Sequence, residues 1–177
     1  FGRFEAPTRQ MITKILALGV PIGIAIFFEV SLFSLAALIL SPLGETVVAA
    51  HQIALSVTSQ LFMIPLSLAI ALTIRIGQLY GEQNWARLQL VRRLGFVSCT
   101  LLAICTMLLI ALFRGEMARA YSNDAEVQAL AVYLLLFALA YQLVDAWQVT
   151  AAGVLRGLQD TQTTMWITLF CYWLVAL

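Results

Sequence analysis

Charged residues are scarce in this sequence. Asp, Glu, Lys and Arg make up 11% of its 177 residues, whereas 62% are hydrophobic and the net charge is only +1. Soluble domains carry roughly 25% charged residues, so this composition argues against a water-soluble domain and indicates a membrane protein. The few basic residues lie at the edges of apolar stretches rather than in one dense patch, which argues against nucleic-acid binding.

The residues and motifs of common enzymes and metal sites are also missing. The sequence has three cysteines and one histidine, without CxxC spacing, so neither disulfides nor a structural metal site is predicted. No HExxH, GxSxG, phosphate-binding loop or dinucleotide fingerprint is present. An intramembrane aspartyl protease needs a pair of Asp residues, and only one Asp lies in an apolar stretch. The chain is therefore predicted not to be an enzyme, and no cofactor is predicted.

Long charge-poor stretches predict an all-α fold, a polytopic transmembrane helix bundle. About 20 helical residues cross a bilayer core, and four stretches reach that length while a fifth is cut short by the end of the sequence. The stretches are residues 15–40, 46–74, 94–113, 127–155 and 165–177. Because the sequence begins at Phe1 without an initiator Met, we expect a fragment of a larger membrane protein, with residues 1–177 forming part of one transmembrane lobe.

The uneven distribution of Lys and Arg predicts the orientation in the membrane. Eight of the ten lie at the N-terminus, after the second stretch or after the fourth, and only Arg114 and Arg119 lie on the other side. Because basic residues concentrate on the cytoplasmic side, the N-terminus and the loops 75–93 and 156–163 are predicted to be cytoplasmic. Within the first loop, residues 82–93 are expected to form either a short amphipathic surface helix or a solvated linker.

Two isolated carboxylates interrupt the apolar stretches. Glu29 is the only charged residue in 15–40, and Asp145 is the only one in 127–155. An ionised acid at the centre of a bilayer costs about 2.5–3.5 kcal/mol on insertion scales, so such residues usually face the bundle interior or a watery cavity. We therefore predict an ion or substrate pathway. The alternative for Glu29 is a protonated acid that holds neighbouring helices together through a hydrogen bond.

Polar side chains accompany Asp145 along its helix. Tyr141 lies one turn before Asp145, Gln142 three residues before it and Gln148 three residues after it, which predicts one polar stripe. A carboxylate with neighbouring oxygen ligands suits Na⁺. A proton is equally suitable, because burial disfavours the charged form of an acid. The aromatic ring of Phe28, next to Glu29, is suited to organic cations, although it could simply pack in the core or face lipid.

The second stretch carries a further set of polar residues at near-helical spacing, namely Gln52, Ser56, Ser59 and Gln60. These residues are predicted to line one face, facing a cavity, or else to allow tight helix packing. Pro65 interrupts the same helix and is expected to kink it, so it is a candidate conformational residue. His51 is expected to be a hydrogen-bonded structural residue.

Four segments in fixed order resemble motifs of multidrug and toxic compound extrusion (MATE) transporters of the NorM-like bacterial branch. The segments are Phe27-Phe28-Glu29, Ala49-Ala50-His51-Gln52-Ile53, Thr73-Ile74-Arg75-Ile76-Gly77, and Gly153-Val154-Leu155-Arg156-Gly157-Leu158-Gln159-Asp160-Thr161. The resemblance implies twelve helices in two lobes around a central cavity, of which this chain would hold helices seven to ten and the start of eleven. The N-terminal lobe would be a partner outside this chain.

The resemblance also implies a function. It implies export of small organic cations across the bacterial inner membrane, driven by inward flow of Na⁺ or H⁺, with the cation site at Glu29, Tyr141 and Asp145. Two alternatives remain. A lipid-linked oligosaccharide flippase of the same broad fold would need a cationic cavity, whereas the membrane-embedded charges here are acidic. A non-transporting membrane scaffold would pair both acids away from any cavity.

Overall fold

The computed structural model describes residues 8–171, which form five α-helices and no β-strand. The helices are α1 (Arg9–Leu40), α2 (Glu45–Gly81), α3 (Trp85–Tyr121), α4 (Ala125–Gly157) and α5 (Thr161–Phe170). The first four are long and apolar enough to cross a membrane, so the predicted all-α polytopic bundle is confirmed. Residues 172–177 of the predicted fifth stretch lie outside the described residues.

The helices continue past the charge-poor stretches. Helix α2 runs through Arg75 to Gly81, and α3 already begins at Trp85. The predicted separate surface helix or linker over residues 82–93 is therefore wrong, because residues 85–93 are the first turns of α3. Charged and amphipathic side chains can extend from a helix into the headgroup layer without breaking its backbone hydrogen bonds. Charge thus marks the edge of the membrane rather than the end of the helix.

Side-chain caps determine where the helices begin. The Asp124 carboxylate accepts hydrogen bonds from the backbone N–H groups of Glu126 and Val127, at 2.8 and 3.4 Å, and so caps α4. Asn84 and Asp160 cap α3 and α5 in the same way. The turns before these two caps have the same backbone feature. Gln83 and Gln159, which precede the caps, have left-handed backbones with φ of 54° and 65°.

Helices α2, α3 and α4 form the packed core, with α4 in contact with both of the others. Helix α4 approaches α2 closely at its two glycines. A Cβ atom at Gly153 would lie 2.6 Å from the carbonyl oxygen of Ala69, and one at Gly157 would lie 2.8 Å from that of Thr73. The Thr73 hydroxyl donates a 2.8 Å hydrogen bond to the Gly153 carbonyl across this seam. Small residues are what permit such an approach in membranes.

Helix α1 packs differently from its neighbours in sequence. The chain reverses between α1 and α2 at a 3₁₀ turn, Ser41–Leu43, and at the following Gly44. The φ of Gly44 is 102°, which glycine adopts readily. Even so, α1 has most of its contacts with α5 and few with α2. Within the described residues no Cα atom of α1 lies within 8 Å of a Cα atom of α4. The backbones of these two helices therefore stay apart, and the space between them is called the gap below.

Candidate functional site

Asp145 and Tyr141 lie at the edge of the packed face of α4. Their neighbours Gln142 and Ala146 are buried against other helices, whereas Asp145 is half-buried and Tyr141 is 47% exposed. The two side chains are close enough to interact electrostatically. Their four-residue spacing therefore brings a phenol and a carboxylate together, as the sequence predicts.

The second helix of the core adds a residue that the sequence analysis did not single out. Thr58 of α2 is buried, with 7% of its surface exposed, and lies beside Tyr141, while its hydroxyl donates to the Ala54 carbonyl at 2.8 Å. A threonine in an apolar helix is common, and its usual hydrogen bond to the preceding turn carries no functional signal. Only the packing of α2 against α4 shows that Thr58 belongs to this site.

Glu29 reaches the site from α1. It is half-buried, and it interacts electrostatically with Asp145 although the backbones of α1 and α4 stay apart. The two acids therefore act on each other across the gap between these helices. Two like charges in a poorly solvated space repel each other strongly, and a cation between them would remove that repulsion. The arrangement is chemically suited to holding a positive ion.

The oxygen atoms at this site define what kind of cation it could hold. Within residues 8–171 no group of three or more His, Cys, Asp or Glu side chains lies close together. A cation at this site would have the two carboxylates and neutral oxygens such as the Tyr141 phenol, one turn from Asp145, as its ligands. Oxygen ligands of this type favour hard ions rather than transition metals.

Phe28 is half-buried beside Glu29, and Phe27 points outward with 68% of its surface exposed. The two rings meet edge to face, with 5.8 Å between their centroids. Phe28 therefore contacts an aromatic neighbour and directly precedes the acid on α1. The predicted binding of an organic cation by the ring of Phe28 stays a prediction.

The predicted polar face of α2 is formed by three of its four residues. Gln52, Ser56 and Ser59 line a groove of about 480 Å³ between α1 and α2. The α1 side of this groove is formed by Val30, Phe33, Ser34 and Ala37. Gln60 is turned away from it, and its amide donates a 2.8 Å hydrogen bond to the Tyr121 hydroxyl. Gln52 and Ser56 also border a smaller groove of about 240 Å³ beside Tyr121 and Ser122.

The predicted polar stripe on α4 is wrong at Gln142. This side chain is buried, and its amide donates to the Thr106 hydroxyl of α3 at 3.4 Å. Three residues correspond to a rotation of roughly 60° around a helix of 3.6 residues per turn, which is enough to turn Gln142 into the α3 interface. Gln148 is exposed and lines a largely apolar groove of about 710 Å³ between α3 and α4, away from the groove of Gln52.

Pro65 and His51 are the remaining candidate residues of α2. Pro65 is fully buried inside α2, which continues on both sides of it. Its missing N–H leaves one helix carbonyl without its usual donor. The Nε2 atom of His51 is buried without a hydrogen-bond partner in the part of the chain that the structure describes, so the expected hydrogen bond is not made by that nitrogen.

The fold and the site define a multi-pass helical membrane protein in which two acids interact across a gap between helices. The chain belongs to the MatE family, whose model matches residues 21–177, and this confirms the resemblance to MATE transporters.

Three relatives illustrate the match. The chain is 60% identical over 176 residues to a probable multidrug resistance protein NorM of Acinetobacter baylyi, covering 99% of this chain and 39% of the relative. It is 44% identical over 177 residues to the multidrug resistance protein NorM of Aliivibrio fischeri, and the match covers 100% of this chain and 38% of the relative. It is 44% identical over 175 residues to the multidrug resistance protein MdtK of Proteus mirabilis, and the match covers 99% of this chain and 38% of the relative. The chain thus spans less than two fifths of the length of these relatives.

Proposed function

We propose that this chain is part of a cation-coupled multidrug antiporter, which exports small organic cations across the bacterial inner membrane in exchange for Na⁺ or H⁺. The observation that carries the proposal is the interaction of Glu29 with Asp145 across the gap between α1 and α4. The names of the relatives, which are multidrug resistance proteins, support it. The second lobe of the complete protein, the surrounding lipid and the transported cations are its partners.

The two acids give the gap a physical basis for exchange. A bound Na⁺, a proton or a cationic drug would each relieve the repulsion between Glu29 and Asp145. Because all of them use the same negative charge, binding of one would displace another. Exchange becomes coupled transport only if the ligands favour different conformations, since a ligand with equal affinity for both conformations shifts nothing.

The direction of transport follows from the order of binding. With the gap open to the outside, Na⁺ or H⁺ would bind the acids and release the drug. Rocking of the lobes would then expose the site to the cytoplasm, where the coupling ion leaves and a new drug enters. Pro65, buried in the middle of α2, would allow this helix to bend at low cost because one hydrogen bond is already missing.

Removal of charge without loss of volume tests this proposal. We expect Glu29→Gln and Asp145→Asn each to abolish coupled export of a fluorescent organic cation from proteoliposomes of the complete protein, with expression retained. Glu126→Gln is a matched control, because Glu126 is an exposed acid in the first turn of α4, and it should transport normally. Normal export by both site variants would refute the proposal.

Separate gradients identify the coupling ion. Counterflow of the same cation is measured under a Na⁺ gradient at equal pH, and then under a pH gradient without Na⁺. Transport driven by one gradient assigns that ion, and transport driven by neither would contradict coupling.

The scaffold alternative predicts a different environment for Asp145. Tyr141 lies one turn before this acid on α4, and 47% of its surface is exposed. If the acid faces a water-filled cavity, a cysteine at position 141 should react with a water-soluble thiol reagent, and excess organic cation should slow the reaction. Protection of this position with and without the cation would instead support a scaffold.

A further inference from the structure

The groove of about 710 Å³ between α3 and α4, called the α3–α4 groove below, is almost entirely apolar. It is lined from α3 by Phe96, Val97, Thr100 and Leu101, and from α4 by Val144, Trp147, Gln148 and Ala151. Two of its three polar side chains satisfy each other, because the Trp147 indole N–H donates to the Thr100 hydroxyl at 3.0 Å. The Thr100 proton is in turn donated to the Phe96 carbonyl at 2.8 Å. The groove therefore offers mainly hydrocarbon contacts to a ligand.

The α3–α4 groove lies at the depth of lipid acyl chains. The charge-poor stretch of α3 begins at residue 94, so the groove residues Phe96 and Leu101 lie within its first two turns. On α4, Ala151 lies within two turns of Arg156, which ends the charge-poor stretch of that helix. The distance from Phe96 to Leu101 is roughly 8 Å at 1.5 Å per residue, whereas one leaflet of a bilayer core is about 15 Å thick. The groove therefore lies within a single leaflet, at the end of the bundle that carries the basic turns.

Arg93 extends the α3 wall of the groove to the membrane surface. It lies three residues before Phe96 and four before Val97, so it shares their helical face. Its side chain is exposed, and it forms no salt bridge with another residue of the part that the structure describes. The two turns at this end, residues 75–93 and 156–163, together carry five arginines and two acids. The groove thus combines an apolar body with positive charge at its outer end, where the planar guanidinium of arginine suits a phosphate group.

We propose that the α3–α4 groove binds an acyl chain of an anionic phospholipid, with the lipid phosphate at Arg93. A neutral lipid would fill the apolar part without a net charge for the arginine to attract, and a free phosphate would leave the apolar part empty. Only an anionic lipid matches both features, and basic residues at the membrane surface attract such lipids. Arg93 and the groove share no residue with the proposed cation site, so this inference does not rest on the proposed function.

Quenching of Trp147 fluorescence tests whether a lipid occupies the groove. Phosphatidylglycerol and phosphatidylcholine with brominated acyl chains are each titrated into the complete protein in detergent, and the emission that is lost in Trp147→Phe identifies the signal of Trp147. We expect phosphatidylglycerol to quench this signal at a roughly fivefold lower concentration. Equal quenching by the two lipids would indicate ordinary surrounding lipid and overturn the proposal. Absence of quenching by either lipid would show that another part of the complete protein covers the groove, which would also overturn it.

Two adjacent arginines provide a matched pair of variants. Arg93→Gln removes the charge at the end of the groove, so it should weaken quenching by phosphatidylglycerol roughly fivefold and bring it to the level of phosphatidylcholine. Arg92→Gln removes the same charge from a residue that is also exposed but is rotated by about 100° around the helix, and it should leave quenching unchanged. Equal losses in both variants would indicate general attraction to a basic surface and overturn the assignment of Arg93.

Filling the groove tests its apolar part. Ala151 is half-buried in the groove wall, and Ala151→Phe should abolish the preference for phosphatidylglycerol while the unfolding midpoint without added lipid stays the same. A retained preference in this folded variant would overturn the proposal, and the arginine pair decides the matter if the variant does not fold. Millimolar inorganic phosphate should not displace the brominated lipid. Displacement would indicate a site for soluble anions and overturn the assignment to a lipid.

Discussion

At the level of single residues, polar side chains between α3 and α4 are joined in pairs. The Gln142 amide donates to Thr106, the Trp147 indole N–H donates to the Thr100 hydroxyl at 3.0 Å, and the Cys99 thiol contacts the Ala146 carbonyl at 3.1 Å. These contacts extend over more than a turn of α4. They restrict its rotation about its own axis, and so they help to direct the neighbouring Tyr141 and Asp145 toward the gap.

Loss of the Thr106–Gln142 hydrogen bond should lower the stability of the protein by a measurable amount. In the apolar interior no water is available to replace a lost partner, so Thr106→Val should leave the Gln142 amide unsatisfied and destabilise the protein by about 1 kcal/mol. Thermal unfolding of the purified complete protein in detergent measures this as a lower midpoint.

Removal of both polar partners provides the control for that prediction. The double variant Thr106→Val with Gln142→Leu removes the unsatisfied amide as well, so its midpoint should recover toward that of the unmodified protein. A midpoint that falls further in the double variant would show that packing, rather than hydrogen bonding, accounts for the loss.

At the level of whole helices, the close approach of α4 to α2 depends on Gly153. Because a methyl group there would meet the Ala69 carbonyl oxygen at 2.6 Å, Gly153→Ala should force the helices apart and destabilise the protein by about 1–3 kcal/mol. Gly115→Ala in α3 is the control, because nothing lies within 4 Å of the added atom and alanine favours a helix by about 0.8–1 kcal/mol. Equal unfolding midpoints for the two variants would contradict the inference that the close contact between α2 and α4 depends on Gly153.

The helices themselves could largely be predicted from the sequence, because long apolar stretches have few alternatives in a bilayer. The ends of the helices were harder to predict from the sequence, since Arg75 and Trp85 lie inside helices that extend beyond the apolar region. The neighbours of each helix were harder still to predict. Chain order suggests that α1 packs on α2, whereas α1 packs mainly on α5, and this depends on tertiary fit that no local pattern records.

The same division applies to the candidate site. The charge of Glu29 and Asp145 in apolar surroundings, and the spacing of Tyr141 on one helix, were sufficient to select these residues. Gln142 shows where spacing fails, because a modest rotation places a side chain in another interface. Thr58 was missed because only the contact between two helices places it beside Tyr141, and neither helix alone indicates this.

At the level of the whole molecule, the described chain divides into a packed core of α2, α3 and α4 and a second pair formed by α1 and α5. The two acids belong to different groups, with Glu29 on α1 and Asp145 on α4. A ligand that bridges them therefore contacts both groups at once. This division gives a physical reason why occupation of the gap by different cations could favour different helix arrangements.

The basic residues near the turns between helices predict how the molecule is oriented in the membrane. The α2–α3 and α4–α5 turns lie at the same end of the bundle, near Arg75, Arg87 and Arg156, whereas the α3–α4 turn lies at the other end. Since basic residues favour the cytoplasm, Glu82 in the first of these turns should be inside and Asn123 outside. Both side chains are exposed, and cysteine can replace each of them in a protein that lacks Cys99, Cys105 and Cys171.

A membrane-impermeant maleimide applied to intact cells reads out this orientation. We expect Asn123→Cys to react in intact cells and Glu82→Cys to react only after the membrane is opened. The parent without the introduced cysteine is the control for background labelling, and labelling after permeabilisation confirms that both variants are present. The reverse pattern would place the basic turns outside. The gap between Glu29 and Asp145 would then take up drug from the wrong side of the membrane, which is incompatible with export by the proposed order of binding.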